Sequence, residues 1–253
     1  MKVALTLYTL RDFVQTPSEM EKTFKKVKKI GYNTVQLSAL GPVDTRELKK
    51  MLDDAGLKVC ATHVSFDRLQ NDFNNLIEEH RILGCPHIAI GSLPSNMRNY
   101  EGYSQFAKLA TEIGRKILQH GMDFSYHNHA FELVRFKNGK TGLEIIYEES
   151  DKNAVLAEID TYWIQYGGGD PAYWIKKMKD RIKVVHFKDM GVIDNLPTMV
   201  EIGEGNLNWP EIIESCRYSG AEWLVVEQDT CQRDPFESVK ISLQNLMAMG
   251  LNP

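Results

Sequence analysis

Four short apolar runs in the second half of the chain end in side chains that bind metal ions or transfer protons. They span residues 123–129, 155–160, 182–189 and 223–229. Runs of Val, Leu and Ile bounded by turn residues predict buried strands. Burying a histidine or a carboxylate costs free energy unless the group is paired or bound to a metal. Four such endings in succession indicate that the strand ends converge on one polar site.

The chemistry of three of these endings is that of a metal site. Asp160, His186 and Glu227 each lie at the last turn of a predicted strand. Carboxylate oxygen and imidazole nitrogen together suit Mn²⁺, Co²⁺, Zn²⁺, Fe²⁺ or Mg²⁺ better than copper or an iron–sulfur cluster. Taken singly, Asp160 is more typical of a helix cap, and His186 of a hydrogen-bonded histidine. Together, in a fold that brings the strand ends to one place, the three residues predict a divalent metal site.

The elements that must position these residues alternate along the whole chain. Predicted strands cover residues 3–7, 34–37, 58–63, 87–90, 122–129, 154–160, 182–188 and 223–227. Predicted helices cover about 17–30, 44–55, 69–83, 100–120, 142–149, 171–179, a segment opening near 210, and 235–249. Such alternation predicts parallel strands joined by helical crossovers.

Parallel strands of this kind form either a closed barrel or an open doubly wound sheet. The open sheet usually carries a glycine-rich phosphate loop after its first strand, whereas residues 8–12 contain no glycine. The later cluster at residues 167–169 lacks the GxGxxG pattern. We therefore predict a (β/α)8 TIM barrel, with residues 1–253 as a single domain, because no linker or compositional break interrupts the alternation.

A barrel would bring the strand ends together, since the carboxyl ends of its strands line the active site. Side chains alternate along a strand, so Asp160 shares a face with Glu158, and His186 shares one with Lys188. His127 and His129 likewise point to the same side of their strand.

Composition limits the classes of partner. Of 253 residues, 43% are hydrophobic and 25% are charged, and the net charge is −4, so nothing indicates a nucleic-acid-binding surface. The basic run at residues 22–29 is typical of the solvated face of an amphipathic helix. The four cysteines form no CxxC pair, and the sequence contains no signal peptide and no apolar run of about 18 residues. These features predict a cytoplasmic protein that binds neither nucleic acid nor membranes.

Six motifs resemble those of the sugar phosphate isomerase/epimerase superfamily, whose members share a xylose isomerase-like barrel. They lie at residues 7–12, 126–132, 158–161, 185–189, 203–205 and 226–227. The resemblance runs the whole length of the chain and is specific for the superfamily rather than for a substrate. It implies one divalent metal ion, bound by a Glu after strand five, an Asp after strand six, a His after strand seven and a Glu after strand eight.

Three of those ligands carry over to Asp160, His186 and Glu227. The first does not, because many relatives place a Glu inside strand five where this chain has His127. Glu132, six residues after Tyr126, is the preferred candidate for the fourth ligand, and His127 is the second. Glu132 could instead bind substrate hydroxyls.

The resemblance also implies a reaction. In the epimerases of the superfamily, two metal-bound glutamates exchange a proton at carbon, while the metal stabilises an enediolate. Glu227 would fill one role, and Glu132 or His127 the other. We therefore expect a metal-dependent isomerase or epimerase of a sugar or sugar phosphate.

A Glu/His pair could equally catalyse elimination, as in the related inosose dehydratases, which also have a His-rich strand five. A dehydratase of a keto-sugar or keto-inositol is the alternative, and a non-catalytic carbohydrate-binding barrel is a third.

Five further residues are candidates for binding a small sugar or polyol. They are His63, His129, Lys188, Trp163 and Tyr8. His63 could bind a hydroxyl or be a partly buried, hydrogen-bonded histidine, and Lys188 could hold a substrate oxygen or lie at the surface. Trp163 and Tyr8 could stack on a sugar face or simply pack. Whether the substrate is phosphorylated stays open, and so does assembly into a homo-oligomer, which is common among relatives.

Overall fold

Eight short strands rich in apolar side chains close into a parallel barrel in the computed structural model, which describes all 253 residues. The barrel strands are β1 (Lys2–Thr6), β2 (Thr34–Leu37), β3 (Lys58–Val64), β4 (His87–Ile90), β5 (Asp123–His127), β6 (Leu156–Asp160), β7 (Ile182–Phe187) and β10 (Trp223–Val226). Each pairs with the next barrel strand in the chain, and β1 pairs in parallel with β10, as Lys2 with Trp223, to close the ring. The predicted (β/α)8 barrel is confirmed.

Helices connect the strands. They are α1 (Pro17–Ile30), α2 (Thr45–Ala55), α3 (Phe66–Asn71), α4 (Phe73–Leu83), α5 (Tyr100–Leu118), α6 (Gly142–Glu149), α7 (Thr161–Tyr166), α8 (Pro171–Lys177), α9 (Trp209–Ser219) and α10 (Pro235–Ala248). Local sequence fixes their ends. Thr16 and Glu19 form a reciprocal capping box at the start of α1, and Gly56 ends α2 with a φ of 71°, which glycine adopts without strain. No helix is both long enough and apolar enough to cross a membrane.

The sequence predicts neither a strand nor a helix between residue 188 and the helix that opens near residue 210, but the structure has a hairpin in this segment. The hairpin is antiparallel and consists of β8 (Asp189–Ile193) and β9 (Leu196–Val200). The turn residues Asp194 and Asn195 have φ values of 51° and 65°, and two residues with positive φ match the right-handed twist of a two-residue hairpin. The hairpin lacks an alternating polar pattern, which is why periodicity does not reveal it.

Small apolar side chains fill the lower part of the barrel interior. Ala4, Ala61, Val184 and Val225 pack together there and are fully buried. Because side chains alternate, the residues two positions after Val184 and Val225 also face inward, which places His186 and Glu227 directly above this layer. The apolar layer therefore forms a dry base beneath the polar strand ends.

A buried carboxylate holds the loop that follows the hairpin. Asp189 Oδ2 accepts hydrogen bonds from the backbone N–H groups of Gly203 (2.8 Å) and Gly205 (3.1 Å) and from Trp209 Nε1 (2.7 Å). Its Oδ1 accepts from the N–H groups of Met190 (2.8 Å) and Leu207 (3.3 Å). A Cβ on Gly205 would lie 2.5 Å from Asp189 Oδ1, so this glycine permits the close approach. The motif at residues 203–205 is thus explained by the fold.

Asp189→Asn should therefore lower the free energy of unfolding by about 2–4 kcal/mol, because at least two N–H groups would lose their acceptor at this buried carboxylate. Urea denaturation followed by circular dichroism measures this change. Asp194→Asn, in the exposed hairpin turn, is the matched control and should stay within about 0.5 kcal/mol of the wild type. Equal effects of the two substitutions would contradict the stabilising role of the Asp189 hydrogen bonds.

Candidate active site

Five barrel strands deliver histidines and carboxylates to one buried space at their carboxyl ends. Two overlapping groups have potential ligand atoms within 4.8 Å of one another. One consists of His63, His127, Glu158 and His186, and the other of His127, Asp160, His186 and Glu227. The convergence expected of the strand ends is thus present in the structure.

His186, at the end of β7, lies between two carboxylates. Its Nδ1 is hydrogen-bonded to Glu227 Oε2 at 2.7 Å. Its Nε2 lies 2.9 Å from Glu158 Oε1, but in an orientation that makes no hydrogen bond. Burial disfavours the charged imidazolium, yet the two carboxylates outweigh it and raise the pKa of His186 to about 10. Without a metal ion, this imidazole therefore carries a proton.

Asp160 serves two purposes at once. Its Oδ1 accepts a hydrogen bond from Trp163 N at 2.9 Å and so caps α7, as the simpler interpretation of the sequence has it. Its Oδ2 is buried without a well-aligned hydrogen bond and faces the cluster. Burial raises the pKa of Asp160 to about 6, partly offset by the Lys188 ammonium and reinforced by the Glu227 carboxylate. The cap and the cluster use different oxygens of one carboxylate.

Glu158 forms the floor of the site and is not among the site residues that the sequence predicts. Its Oε1 accepts hydrogen bonds from Gln36 Nε2 at 2.9 Å and pairs with His63 Nε2 at 2.7 Å, and its Oε2 accepts from Ser125 Oγ at 3.0 Å. Burial opposes ionisation, but the imidazoles of His63 and His186 hold the pKa of Glu158 well below its usual value. The available signal was its position two residues before Asp160, on the same strand face.

Lys188 is a buried lysine rather than a surface one, with only 1% of its side chain exposed. Its Nζ lies 2.8 Å from Glu227 Oε2, 2.8 Å from Asp229 Oδ1 and 3.0 Å from Asp160 Oδ2. Burial disfavours the ammonium, but these three carboxylates outweigh it and raise the pKa of Lys188. Asp229 lies just beyond the last barrel strand, where the apolar pattern gives no signal, and the sequence does not single it out.

His127 faces the cluster from β5. Its Nε2 lies 3.9 Å from Asp160 Oδ2, and its Nδ1 lies 3.8 Å from Glu158 Oε1 without a hydrogen bond. Burial, together with the nearby His186, holds the pKa of His127 well below its usual value. A neutral imidazole with a free lone pair is the form that binds metal ions.

Glu132 lies on the other side of β5. Its carboxylate accepts hydrogen bonds from Tyr126 OH at 2.5 Å and from the His129 backbone N–H at 2.8 Å. Tyr126 packs against Phe106 of α5, with ring centroids 5.1 Å apart, and alternation places it on the face opposite His127. Burial raises the pKa of Glu132 to about 8. The structure thus places His127, and not Glu132, among the potential ligand atoms of the cluster.

A cavity of about 270 Å³ opens above the cluster. It is lined by Tyr8, Ser38, His63, Val64, Ser65, Gly91, Ser92, His127, His129, Lys188, Glu227 and Asp229. Four of the five residues proposed for substrate contact are therefore on its wall. The fifth, Trp163, lies behind it, with its ring centroid 5.5 Å from that of His129 and 5.4 Å from Lys188 Nζ. Burial lowers the pKa of His129 to about 3, so this imidazole is also neutral.

Comparison with known proteins agrees with the fold. MocC, a rhizopine catabolism protein of Rhizobium meliloti, is 23% identical over 91% of this chain and 82% of its own length. An inosose dehydratase of Lacticaseibacillus casei is 24% identical over 86% of this chain and 85% of that enzyme.

A solved structure shares the fold over almost its whole length. This sugar phosphate isomerase/epimerase from Parabacteroides distasonis superposes with a TM-score of 0.82 and 24% identity, over 97% of both chains. Residues 24–248 match the family described as the xylose isomerase-like TIM barrel, which is most of the chain. The protein therefore belongs to the xylose isomerase-like TIM barrel family.

Proposed function

We propose that this protein is a metal-dependent lyase that removes water from a neutral cyclic keto-polyol. One observation carries the proposal: the cavity carboxylates and the cavity histidines lie on opposite walls. Glu227 and Asp229 come from the end of β10, whereas His63 and His127 come from β3 and β5. In the strand order of the barrel, β4 is directly opposite β10, with β3 and β5 on either side of it.

Two opposed glutamates would allow a proton to be removed from one face of a carbon and returned to the other. That arrangement suits epimerisation, but here the second glutamate is replaced by His127 and Glu132 lies behind the strand. The low pKa values of His127 and His129 leave both imidazoles neutral and only weakly basic at neutral pH, so neither carries a proton to donate. Delivery of a proton to carbon from their wall is therefore disfavoured.

Elimination of water needs only one proton-transfer group on one face. In the proposed reaction, the Glu227 carboxylate takes the proton from the carbon next to the carbonyl. The electron pair of that C–H bond forms a C=C bond, the C–O bond on the neighbouring carbon breaks, and Glu227 returns its proton to the leaving hydroxyl. The products are an unsaturated ketone and water. Neutral imidazoles and the serines of the cavity wall supply hydrogen bonds to the remaining hydroxyls.

The cluster residues fit a divalent ion. Three buried atoms that face the cluster lack a well-aligned hydrogen bond: His127 Nδ1, Asp160 Oδ2 and His186 Nε2. Two imidazoles and two carboxylates, with ligand atoms within 4.8 Å of one another, form a donor set typical of Mn²⁺, Co²⁺, Zn²⁺ or Fe²⁺. His127, Asp160, His186 and Glu227 would hold the ion, which when bound would act as a Lewis acid on a carbonyl oxygen.

Similarity supports the same class of chemistry. The related inosose dehydratase is named for dehydration of a keto-inositol, and the cavity volume of about 270 Å³ accommodates a six-membered polyol ring. An isomerase or epimerase, which the sequence places first, is the second candidate. It is favoured by the retained Glu227 and by the sugar phosphate isomerase/epimerase of the same fold.

The dehydratase test is direct. Mn²⁺-loaded protein incubated with a keto-inositol should give a product 18 mass units lighter with new ultraviolet absorption from the conjugated carbonyl. Glu227→Gln should lower kcat by about 10²-fold or more, because the proton-transfer group is lost. Glu222→Gln, on an exposed residue just before β10, is the matched control. Recovery of a product of unchanged mass, with inverted configuration and solvent deuterium at carbon, would instead establish the epimerase.

Metal binding separates the two candidates for the fourth ligand. His127→Ala should weaken Mn²⁺ binding by about tenfold or more, because a ligand is lost, whereas Glu132→Gln should leave it within about twofold of the wild type. Isothermal titration calorimetry on chelator-treated protein measures both affinities. Weaker binding by Glu132→Gln alone would restore Glu132 as the ligand.

A further inference from the structure

The Lys188 ammonium occupies the place where a metal ion would meet its carboxylates. Its Nζ contacts Glu227 Oε2 at 2.8 Å and Asp160 Oδ2 at 3.0 Å. Both carboxylates belong to the group of residues that could hold the ion. Two cations sharing the same carboxylate oxygens in a buried site repel each other strongly, because water does not screen them there. Lys188 and a metal ion therefore compete for the same carboxylate oxygens.

In the metal-free protein, the contact of Lys188 with these carboxylates compensates their negative charge. Glu158, Asp160, Glu227 and Asp229 are four carboxylates around one small space, and three of them are almost fully buried. Anions buried without compensation cost several kcal/mol each. Lys188 touches three of the four, so it is the main counter-ion of the cluster, with His186 as the second.

The Lys188 ammonium also has an alternative partner, the carboxylate of Asp229. Asp229 Oδ1 lies 2.8 Å from its Nζ, yet Asp229 belongs to neither group of potential metal ligands. The Asp229 side chain is 21% exposed at the cavity wall, and its backbone carbonyl is held by Arg11 Nη2 at 2.9 Å. The main chain of Asp229 is therefore held in place, and its carboxylate lies outside the proposed ligand set.

The main chain of Lys188 is anchored, so that only its side chain is free to move. Its N–H donates to Thr161 Oγ1 at 3.0 Å, and the Thr161 hydroxyl donates to the Lys188 carbonyl at 2.9 Å. Four methylene groups separate this anchor from Nζ, which gives the ammonium enough reach for a shift of a few ångströms.

We propose that Lys188 is a mobile internal counter-cation, which withdraws from Asp160 and Glu227 onto Asp229 when a divalent ion binds. It thereby lowers the affinity of the site for metal while keeping the empty site folded. This inference rests on the proposed metal site, and the experiments below separate failure of one from failure of the other.

The first test uses Lys188→Met, which keeps the length of the side chain and removes its charge. Mn²⁺ titrated calorimetrically into chelator-treated protein should bind about tenfold more tightly, or better, than to the wild type, because the competing cation is gone. The melting temperature of the metal-free variant should fall, and its rise on adding Mn²⁺ should exceed that of the wild type. Lys183→Met, near the start of β7 and paired with Asp123 away from the cluster, is the matched control and should not change Mn²⁺ affinity.

Unchanged or weaker Mn²⁺ binding by Lys188→Met, with the wild type still binding, would overturn the inference and leave the metal site standing. Binding by Lys188→Met alone would support it strongly. Absence of Mn²⁺ binding by both proteins would overturn the metal site and the inference together.

The second test asks whether Asp229 acts through Lys188. Asp229→Asn should weaken Mn²⁺ binding at least about fivefold in the wild-type background, since the Lys188 ammonium loses its alternative carboxylate partner. In the Lys188→Met background the same substitution should have little effect. An equal loss in both backgrounds would show that Asp229 contributes only its own charge, and the proposed movement would be wrong.

A third measurement needs no variant, and so does not depend on the folding of Lys188→Met. Crystals of the wild-type protein grown with and without Mn²⁺ should show Lys188 Nζ beside Asp229 in both, but within 4 Å of Asp160 only without the ion. A Mn²⁺-bound structure in which Lys188 still bridges Asp160 and Glu227 would overturn the proposal.

Discussion

Mutual repulsion among three buried carboxylates and a fourth at the cavity wall is the constraint that the rest of this site depends on. Glu158, Asp160 and Glu227 are almost fully buried, and Asp229 borders the same space. The groups that compensate these negative charges come from several strands. Gln36 and Ser125, for example, donate hydrogen bonds to Glu158 from two other strands. The pKa of Asp160 still rises to about 6, because burial and the nearby carboxylate of Glu227 outweigh the help of Lys188. An incompletely neutralised cluster of this kind attracts a further cation.

The barrel makes such a cluster tolerable. Below it, Ala4, Val184 and Val225 form a dry layer that fixes the inward direction of the strand ends. Just after β7, the Asp189 carboxylate accepts hydrogen bonds from the N–H groups of the loop after the hairpin and so fixes that loop. The polar residues are thus supported by groups that take no part in the proposed chemistry. Stability and function are divided along the barrel axis, as is usual for this fold.

The sequence predicts the parts of the site that follow from strand periodicity. Asp160, His186 and Glu227 are found because each ends an apolar run, and alternation then determines which side of the sheet each faces. Glu132 is different, because it follows β5 in a short 3-10 turn at residues 131–133, where no period indicates direction. Its partner Tyr126 faces outward, and this contact decides where the carboxylate lies.

The site residues that the sequence does not predict are missed for related reasons. Glu158 lies inside a strand that already ends in a recognisable ligand, so its role depends on neighbours from other strands, which sequence order does not show. Asp229 lies three residues beyond the end of β10, where no apolar run marks it. The hairpin turn at Asp194 and Asn195 depends on two positive φ angles, which both residue types adopt more readily than most but which neither requires.

The substitution at strand five links the reaction to metal affinity. In the proposed site, a histidine in place of a glutamate removes one negative charge from the ligand set, which would weaken attraction for a divalent ion, and Lys188 as proposed would weaken it further. A site with fewer anionic ligands is also a stronger Lewis acid, since less negative charge reaches the metal. The same exchange removes one of the two opposed carboxylates that the expected epimerisation would use. In the proposed reaction, His127 would therefore shift the balance from reversible proton exchange between two faces toward elimination on one face, and the carboxylates that follow β10 would be the side on which the chemistry takes place.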